Sequence, residues 1–256
     1  MILESRSLQF RYGRRLVLED VTLSLQPGVT AIIGPNATGK TTLMKCLAGI
    51  RRGAGEIKLD GRNIDQLPSA LLAKQVCYLP QEFVSKAAIS VFEAVLLGRI
   101  SQLGLFVGDE DIAAVEQLLT DLEIRHLTQR PLGELSGGQM QLVAIAQALA
   151  REPAVLLLDE PTSNLDIRRQ FDVCEQVRSI TQQRRMTTAI SIHDLNLAAR
   201  FADHICVLNQ GRLHSQGTPQ EVFTARMIQT VYRVRAKIAT APSGAISVTV
   251  TDKHPE

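Results

Sequence analysis

The residues Gly34-Pro35-Asn36-Ala37-Thr38-Gly39-Lys40-Thr41 satisfy the pattern G-x-x-x-x-G-K-[ST] at every fixed position. This spacing suits phosphate chemistry. Glycines let backbone N–H groups converge on phosphate oxygens, and a following helix N-terminus contributes about half a positive charge. Lys40 is spaced to reach β- and γ-phosphates, and the Thr41 hydroxyl to ligate Mg²⁺. The motif works only between a strand and a helix. Val29-Thr30-Ala31-Ile32-Ile33 before it reads as a buried strand, and Thr42 to Leu47 after it carries apolar residues at helical spacing. The chain is therefore expected to bind a nucleoside triphosphate.

Further along, Ala154-Val155-Leu156-Leu157-Leu158 runs into Asp159 and Glu160. A continuous apolar run of this kind predicts a strand buried on both faces. Its C-terminal end, where the carboxylates stand, is where open α/β sheets place ligand chemistry. Asp159 is the expected partner of Mg²⁺ from behind its direct ligands, and Glu160 is placed to polarise an attacking water. Between the two motifs, Leu135-Ser136-Gly137-Gly138-Gln139 opens an apolar helix reaching Leu149. A capping hydroxyl, glycines and a positive helix end form a second anion cradle.

With these motifs in this order, residues 1–220 resemble the ATP-binding subunits of ABC transporters. The resemblance implies an α/β fold: a P-loop NTPase (RecA-like) core with an antiparallel β subdomain and an all-helical insertion. Tyr12 stands where that family stacks a ring on adenine. Gln81, in Tyr78-Leu79-Pro80-Gln81, resembles the glutamine linking the γ-phosphate site to the helical subdomain. Ser163-Asn164-Leu165-Asp166 resembles the loop joining two subunits' sites, and His193 the histidine that contacts the γ-phosphate. Carried over residue by residue, ATP contacts fall to Tyr12, Asn36, Ala37, Thr38, Gly39, Lys40, Thr41 and Thr42. Ser136, Gly137, Gly138 and Gln139 are assigned to ATP held by a second copy. Mg²⁺ falls to Thr41, Gln81 and Asp159, and catalysis to Glu160, His193 and Gln81.

The partners implied by the resemblance are a head-to-tail second copy, integral membrane permease subunits and, indirectly, a secreted substrate-binding protein. The implied location is the cytoplasmic face of the inner membrane, where the permease would hold the chain. Val91 to Arg99, His193 to Asp203 and Gly211 to Pro219 resemble importers of the iron–siderophore, haem and cobalamin type. The broader alternatives are another ABC importer or exporter, or a soluble ABC ATPase outside transport. A regulatory module without turnover would be expected to lack Glu160 or His193. Three positions depart from the commonest family pattern: Ala37 for Gly, Thr38 for Ser, and Gln147 for an Arg in the helix after the second cradle. Ala37 is compatible with the loop if its backbone tolerates the local φ.

Bulk properties fit this reading. The 256 residues suffice for a substantial core, and the net charge of +2 gives no field for nucleic acid. Cys46, Cys77, Cys174 and Cys206 are scattered among apolar residues, which predicts buried reduced thiols in a cytosolic protein. No signal peptide is expected before the first strand-like run, and no apolar stretch approaches the ~20 residues of a membrane span. Residues 1–27 and 55–60 alternate as short antiparallel strands, with Leu16–Leu25 the clearest, and Asn209-Gln210-Gly211-Arg212 reads as a hairpin turn. We expect an ATP-binding domain over residues 1–225, with core at about 1–80 and 151–225 and a helical subdomain at about 82–150. Residues 226–256 form a short appendage whose polar end from Thr251 is expected to fray. Phe83, Val84, Leu103, Leu105, Phe106 and Val107 are expected to form a groove for a permease helix.

Overall fold

The computed structural model describes residues 1–81, 88–100, 107–163, 165–241 and 244–253. The chain opens with strands β1 (Leu3–Tyr12), β2 (Arg15–Leu25) and β3 (Gly28–Ile33), then helix α1 (Lys40–Leu47). Strands β4 (Ala54–Leu59) and β5 (Arg62–Asn63), helix α2 (Ser69–Gln75) and strand β6 (Val76–Leu79) follow. Next come helices α3 (Val91–Gly98), α4 (Asp109–Asp121) and α5 (Gly137–Leu149), then β7 (Val155–Leu158), α6 (Ile167–Arg184), β8 (Thr187–Ser191) and α7 (Leu195–Phe201). The chain ends with β9 (His204–Asn209), β10 (Arg212–Gly217), α8 (Pro219–Val222), α9 (Ala225–Tyr232), β11 (Val234–Thr240) and β12 (Ile246–Lys253).

The central sheet has the order β10-β9-β3-β8-β7-β6, parallel except for the edge strand β10. Its inner strands are buried on both faces, every residue of β7 and β8 included, which is why they read as unbroken apolar or threonine runs. Each fully buried leucine of β7 contributes about 1.5–3 kcal/mol of transfer free energy. Strands β1, β2, β4 and β5 form a separate antiparallel sheet, as the alternation predicted. Its first two strands are long rather than short, at 10 and 11 residues. The turn between β9 and β10 places Gln210 and Gly211 at φ 48° and 76°, the left-handed pair that closes a tight hairpin. The Gly211 carbonyl accepts the Glu19 amide, joining this turn to β2.

Among the described residues, the segment between β6 and β7 is helical, and its apolar faces join the larger core cluster. Arg99, at the end of α3, donates to Asp111 of α4 (2.9 Å) and to Glu152 before β7 (2.8 Å), tying the helical segment to the sheet. Phe83, Val84, Leu103, Leu105 and Phe106 lie outside the described residues; Val107 is exposed. The expected fraying of Thr251–Glu256 is corrected for its first three residues, 254–256 lying outside the described ones. Thr251, Asp252 and Lys253 belong to β12, which pairs with β11 from Val234 to Thr240. The reason is period-two burial: Ile246 and Val248 face the core, and Asn196 of α7 exchanges hydrogen bonds with the Val248 backbone at 3.2 and 2.7 Å. All four cysteines are buried and free. Burial pushes Cys46 up to about 11 and Cys174 and Cys206 up to about 12.

Candidate nucleotide site

The loop from Gly34 to Gly39 leaves the C-terminal end of the central strand β3 and enters α1, the position at which open α/β sheets bind ligands. Gly34 is fixed by close approach: a Cβ there would lie 2.1 Å from the Leu208 carbonyl oxygen, at φ 148°. Helix α1 starts at Gly39, in a left-handed conformation, with no side-chain cap and no acidic residue in its first turn. By contrast, α3 and α5 are closed by capping boxes from Ser90–Glu93 and Ser136–Gln139. The first-turn amides of α1 are therefore left without a side-chain cap, as binding of an anionic ligand requires.

Ala37 sits at φ 61°, so the left-handed conformation the loop demands is imposed on a residue with a Cβ. Thr38 is buried and its hydroxyl donates to the Pro35 carbonyl at 2.9 Å, shaping the loop from behind. Lys40 is also buried, and its ammonium donates to the Gly34 and Pro35 carbonyls at 2.9 and 3.2 Å. Burial lowers its pKa, against the opposing pull of Glu160 and Asp159.

A cleft of about 590 Å³ opens over this loop. It is lined by Asn36, Ala37, Gly39, Lys40, Thr41 and Thr42 of the loop and α1, by Tyr12, Arg15 and Val17 from the antiparallel sheet, and by Glu160 and His193. Tyr12 is 45% exposed; Phe10 meets its ring edge-on at 4.9 Å and Arg51 lies 5.9 Å from its centroid, leaving ring surface available for stacking. Glu160 follows β7 with φ 49°, and its Oε1 lies 2.5 Å from His193 Nε2. Asp159 is 2% exposed and accepts from Thr41 Oγ1 at 3.2 Å, Ser191 Oγ at 3.1 Å and Tyr78 OH at 2.9 Å. Sequence reasoning missed Tyr78 and Ser191. The only sequence signal for them was polarity within otherwise apolar strand runs.

The Thr41 hydroxyl beside the Asp159 carboxylate is a pair of hard oxygen donors suited to Mg²⁺. Among the described residues no group of three or more His, Cys, Asp or Glu could hold a metal. Gln81 does not line the cleft. Its amide donates to Ser163 Oγ at 3.3 Å, and Ser163 donates to the Glu160 carbonyl at 2.9 Å, so it joins Glu160 by a short chain.

Ser136, Gly137, Gly138 and Gln139 are likewise not part of this cleft. They form the start of α5, where the Ser136 hydroxyl accepts the Gln139 amide at 3.4 Å. Arg169 of α6 donates to Ser136 Oγ at 2.9 Å and pairs with Asp166, the N-cap of α6, at 3.3 Å. Asn164, in the loop before α6, lies outside the described residues. The phosphate-loop residues, Asp159 and Glu160 thus lie together in one place, and the capped start of α5 lies elsewhere.

Comparison with known proteins bears on this arrangement. The profile of the ABC transporter family matches residues 18–163. The chain is 38% identical to the ferric enterobactin transport ATP-binding protein FepC of Escherichia coli (strain K12), over 94% of this chain and 90% of that one. It is 35% identical to the iron(3+)-hydroxamate import ATP-binding protein FhuC of Bacillus subtilis (strain 168), covering 94% and 91%. Identity to the hemin import ATP-binding protein HmuV of Plesiomonas shigelloides is 35%, covering 93% and 97%. Among solved structures, it superposes with a TM-score of 0.82 on a transporter described as of the metal-chelate type, in an inward-facing conformation, at 27% identity over 98% of this chain and 97% of that one.

Proposed function

Because this chain belongs to the ABC transporter family, as an ATP-binding subunit, we propose that it powers import of a metal chelate of the ferric siderophore, haem or cobalamin class. Subunits of this family hydrolyse ATP in support of transport, and import ATP-binding subunits work with membrane permeases. Among the described residues no helix is long and apolar enough to cross a membrane, so the translocation path belongs to those partners. The substrate class rests on the relatives' names and on their coverage of nearly the whole chain.

The observation that carries the mechanistic reading is the separation just described. Lys40, Thr41, Glu160 and His193 line one cleft with Asp159 buried behind Thr41, while the start of α5, Ser136 to Gly138, lies outside it. A second copy placed head to tail would bring its cradle to the first copy's cleft, giving symmetric composite sites. In this reading Tyr12 stacks the adenine, and loop amides with Lys40 neutralise the phosphates. Thr41 and Asp159 would hold Mg²⁺, whose role is to offset the charge of the β- and γ-phosphates. Glu160 orients the attacking water and takes its proton. His193 holds the γ-phosphate and fixes the Glu160 carboxylate 2.5 Å from its own ring. Gln81, through Ser163, reports the state of the Glu160 backbone toward the helical segment. ATP binding would draw two copies together, hydrolysis would release them, and the permease would take up that motion through the helical segment. A secreted binding protein would deliver the chelate, and the permease would hold this chain on the cytoplasmic face of the inner membrane.

The test is reconstitution. Purified with its multi-span membrane partners in vesicles, the chain should support ATP-dependent uptake of a labelled ferric siderophore, haem or cobalamin, but not export. ATP hydrolysis by the assembled complex without movement of any of the three would reject the substrate class.

A further inference from the structure

Asp159 is nearly inaccessible, yet three side-chain hydroxyls converge on it. Thr41 belongs to the phosphate loop. The other two come from the strands flanking β7: Tyr78 from β6 and Ser191 from β8. Parallel register places them there, with Leu79 opposite Leu158 and Ile190 opposite Leu158 from the other side, so both hydroxyls reach the strand end where Asp159 stands. They divide the carboxylate: Ser191 and Thr41 take Oδ1, and Tyr78 takes Oδ2.

Ser191 does a second thing. While its Oγ donates to Asp159 at 3.1 Å, it accepts the Glu160 backbone N–H at 3.0 Å. Glu160 adopts φ 49°, a left-handed step that is uncommon for a residue with a Cβ. That step turns the Glu160 side chain toward His193 and the cleft. One buried hydroxyl thus fixes both the carboxylate beside Thr41 and the backbone of the residue that acts on water.

We propose that Ser191 and Tyr78 are positioning residues for ATP hydrolysis: Ser191 sets the backbone step that presents Glu160, and Tyr78 orients the Asp159 carboxylate for the cation. This rests on the roles given above to Glu160 and Asp159.

Ser191→Ala should lower kcat about tenfold, from losing its bonds to the Glu160 N–H and the Asp159 carboxylate together, while KM for ATP stays within about threefold, since the phosphate loop is untouched. Ser191→Thr keeps the hydroxyl and should recover most of the rate. In a Glu160→Gln background, Ser191→Ala should cost clearly less than in wild type, because the share acting through Glu160 is already gone. Tyr78→Phe is read without turnover: the Mg²⁺ concentration needed to tighten a fluorescent ATP analogue should rise about tenfold.

Circular dichroism and melting confirm that each variant is folded. Wild-type kcat in folded Ser191→Ala overturns the Ser191 assignment. So does a loss appearing mainly in KM, or one of equal size in the Glu160→Gln background. Unchanged Mg²⁺ dependence in Tyr78→Phe overturns the other half. Should Glu160→Gln itself turn over like wild type, the functional reading fails and not the positioning argument alone.

Discussion

Glu160→Gln changes one atom in the cleft and separates chemistry from structure. The glutamine keeps the size of the side chain and an oxygen able to accept from His193, but it cannot take a proton from water. A positioned general base contributes about 10²–10⁴ in rate, or about 2.7–5.4 kcal/mol of barrier. The structural cost is far smaller. His193 is 44% exposed and the Glu160 side chain 16%, so their contact is partly screened and worth less than about 1 kcal/mol. For a chain of this size that is a melting shift below about 4 °C. Nothing in the phosphate loop is altered, so ATP affinity should hold. The assay is phosphate release under saturating ATP and Mg²⁺, paired with nucleotide binding and a melting curve. The expected result is turnover reduced a hundredfold or more, near-native melting, and ATP-dependent dimers that persist on size exclusion. Wild-type turnover would show that Glu160 is not the base, and a collapse in melting would show that its contact with His193 is chiefly structural.

Lys40→Ala removes the ammonium held by the Gly34 and Pro35 carbonyls, and ATP affinity in a fluorescence titration should fall at least about tenfold. Ala37→Gly relieves the left-handed strain at φ 61°, offset by a more flexible unfolded chain, and should raise stability by up to about 1 kcal/mol in denaturant titration. Lower stability there would contradict the strained loop. Mixing Ser136→Arg chains with Lys40→Ala chains should recover activity that neither has alone, because heterodimers regain one intact site. No recovery in verified heterodimers would argue against shared sites or show that both must be intact.

The parts of the site that could be read from the sequence are those carried by local chemistry. A phosphate loop is a contiguous run, and its strand and helix flank it directly, so Gly34 to Thr42 fell where expected. Asp159 and Glu160 were legible because a doubly buried strand must be apolar until it ends. Tyr78 and Ser191 were not, because their bonds to Asp159 span 81 and 32 residues and exist only through the sheet register. Nor does any local pattern say that Glu160 takes a left-handed step. The C-terminal hairpin was missed for another reason. Val234, Ala236 and Ile238 alternate with exposed residues, as do Ile246 and Val248, but alternation this short gains meaning only once α7 and α9 offer a face to cover.

The four buried cysteines have a practical consequence. Thiol reagents attack the thiolate, and with Cys46 pushed to about 11 and Cys174 and Cys206 to about 12, almost none of that form exists at neutral pH. Cys77 is raised in the same direction despite Arg151 nearby. The native chain is thus nearly silent toward maleimides without any cysteine being removed. A single cysteine at an exposed position such as Gln117 of α4 would be the one site to take a dye, so paired labels would test the proposed approach of two copies during turnover in real time.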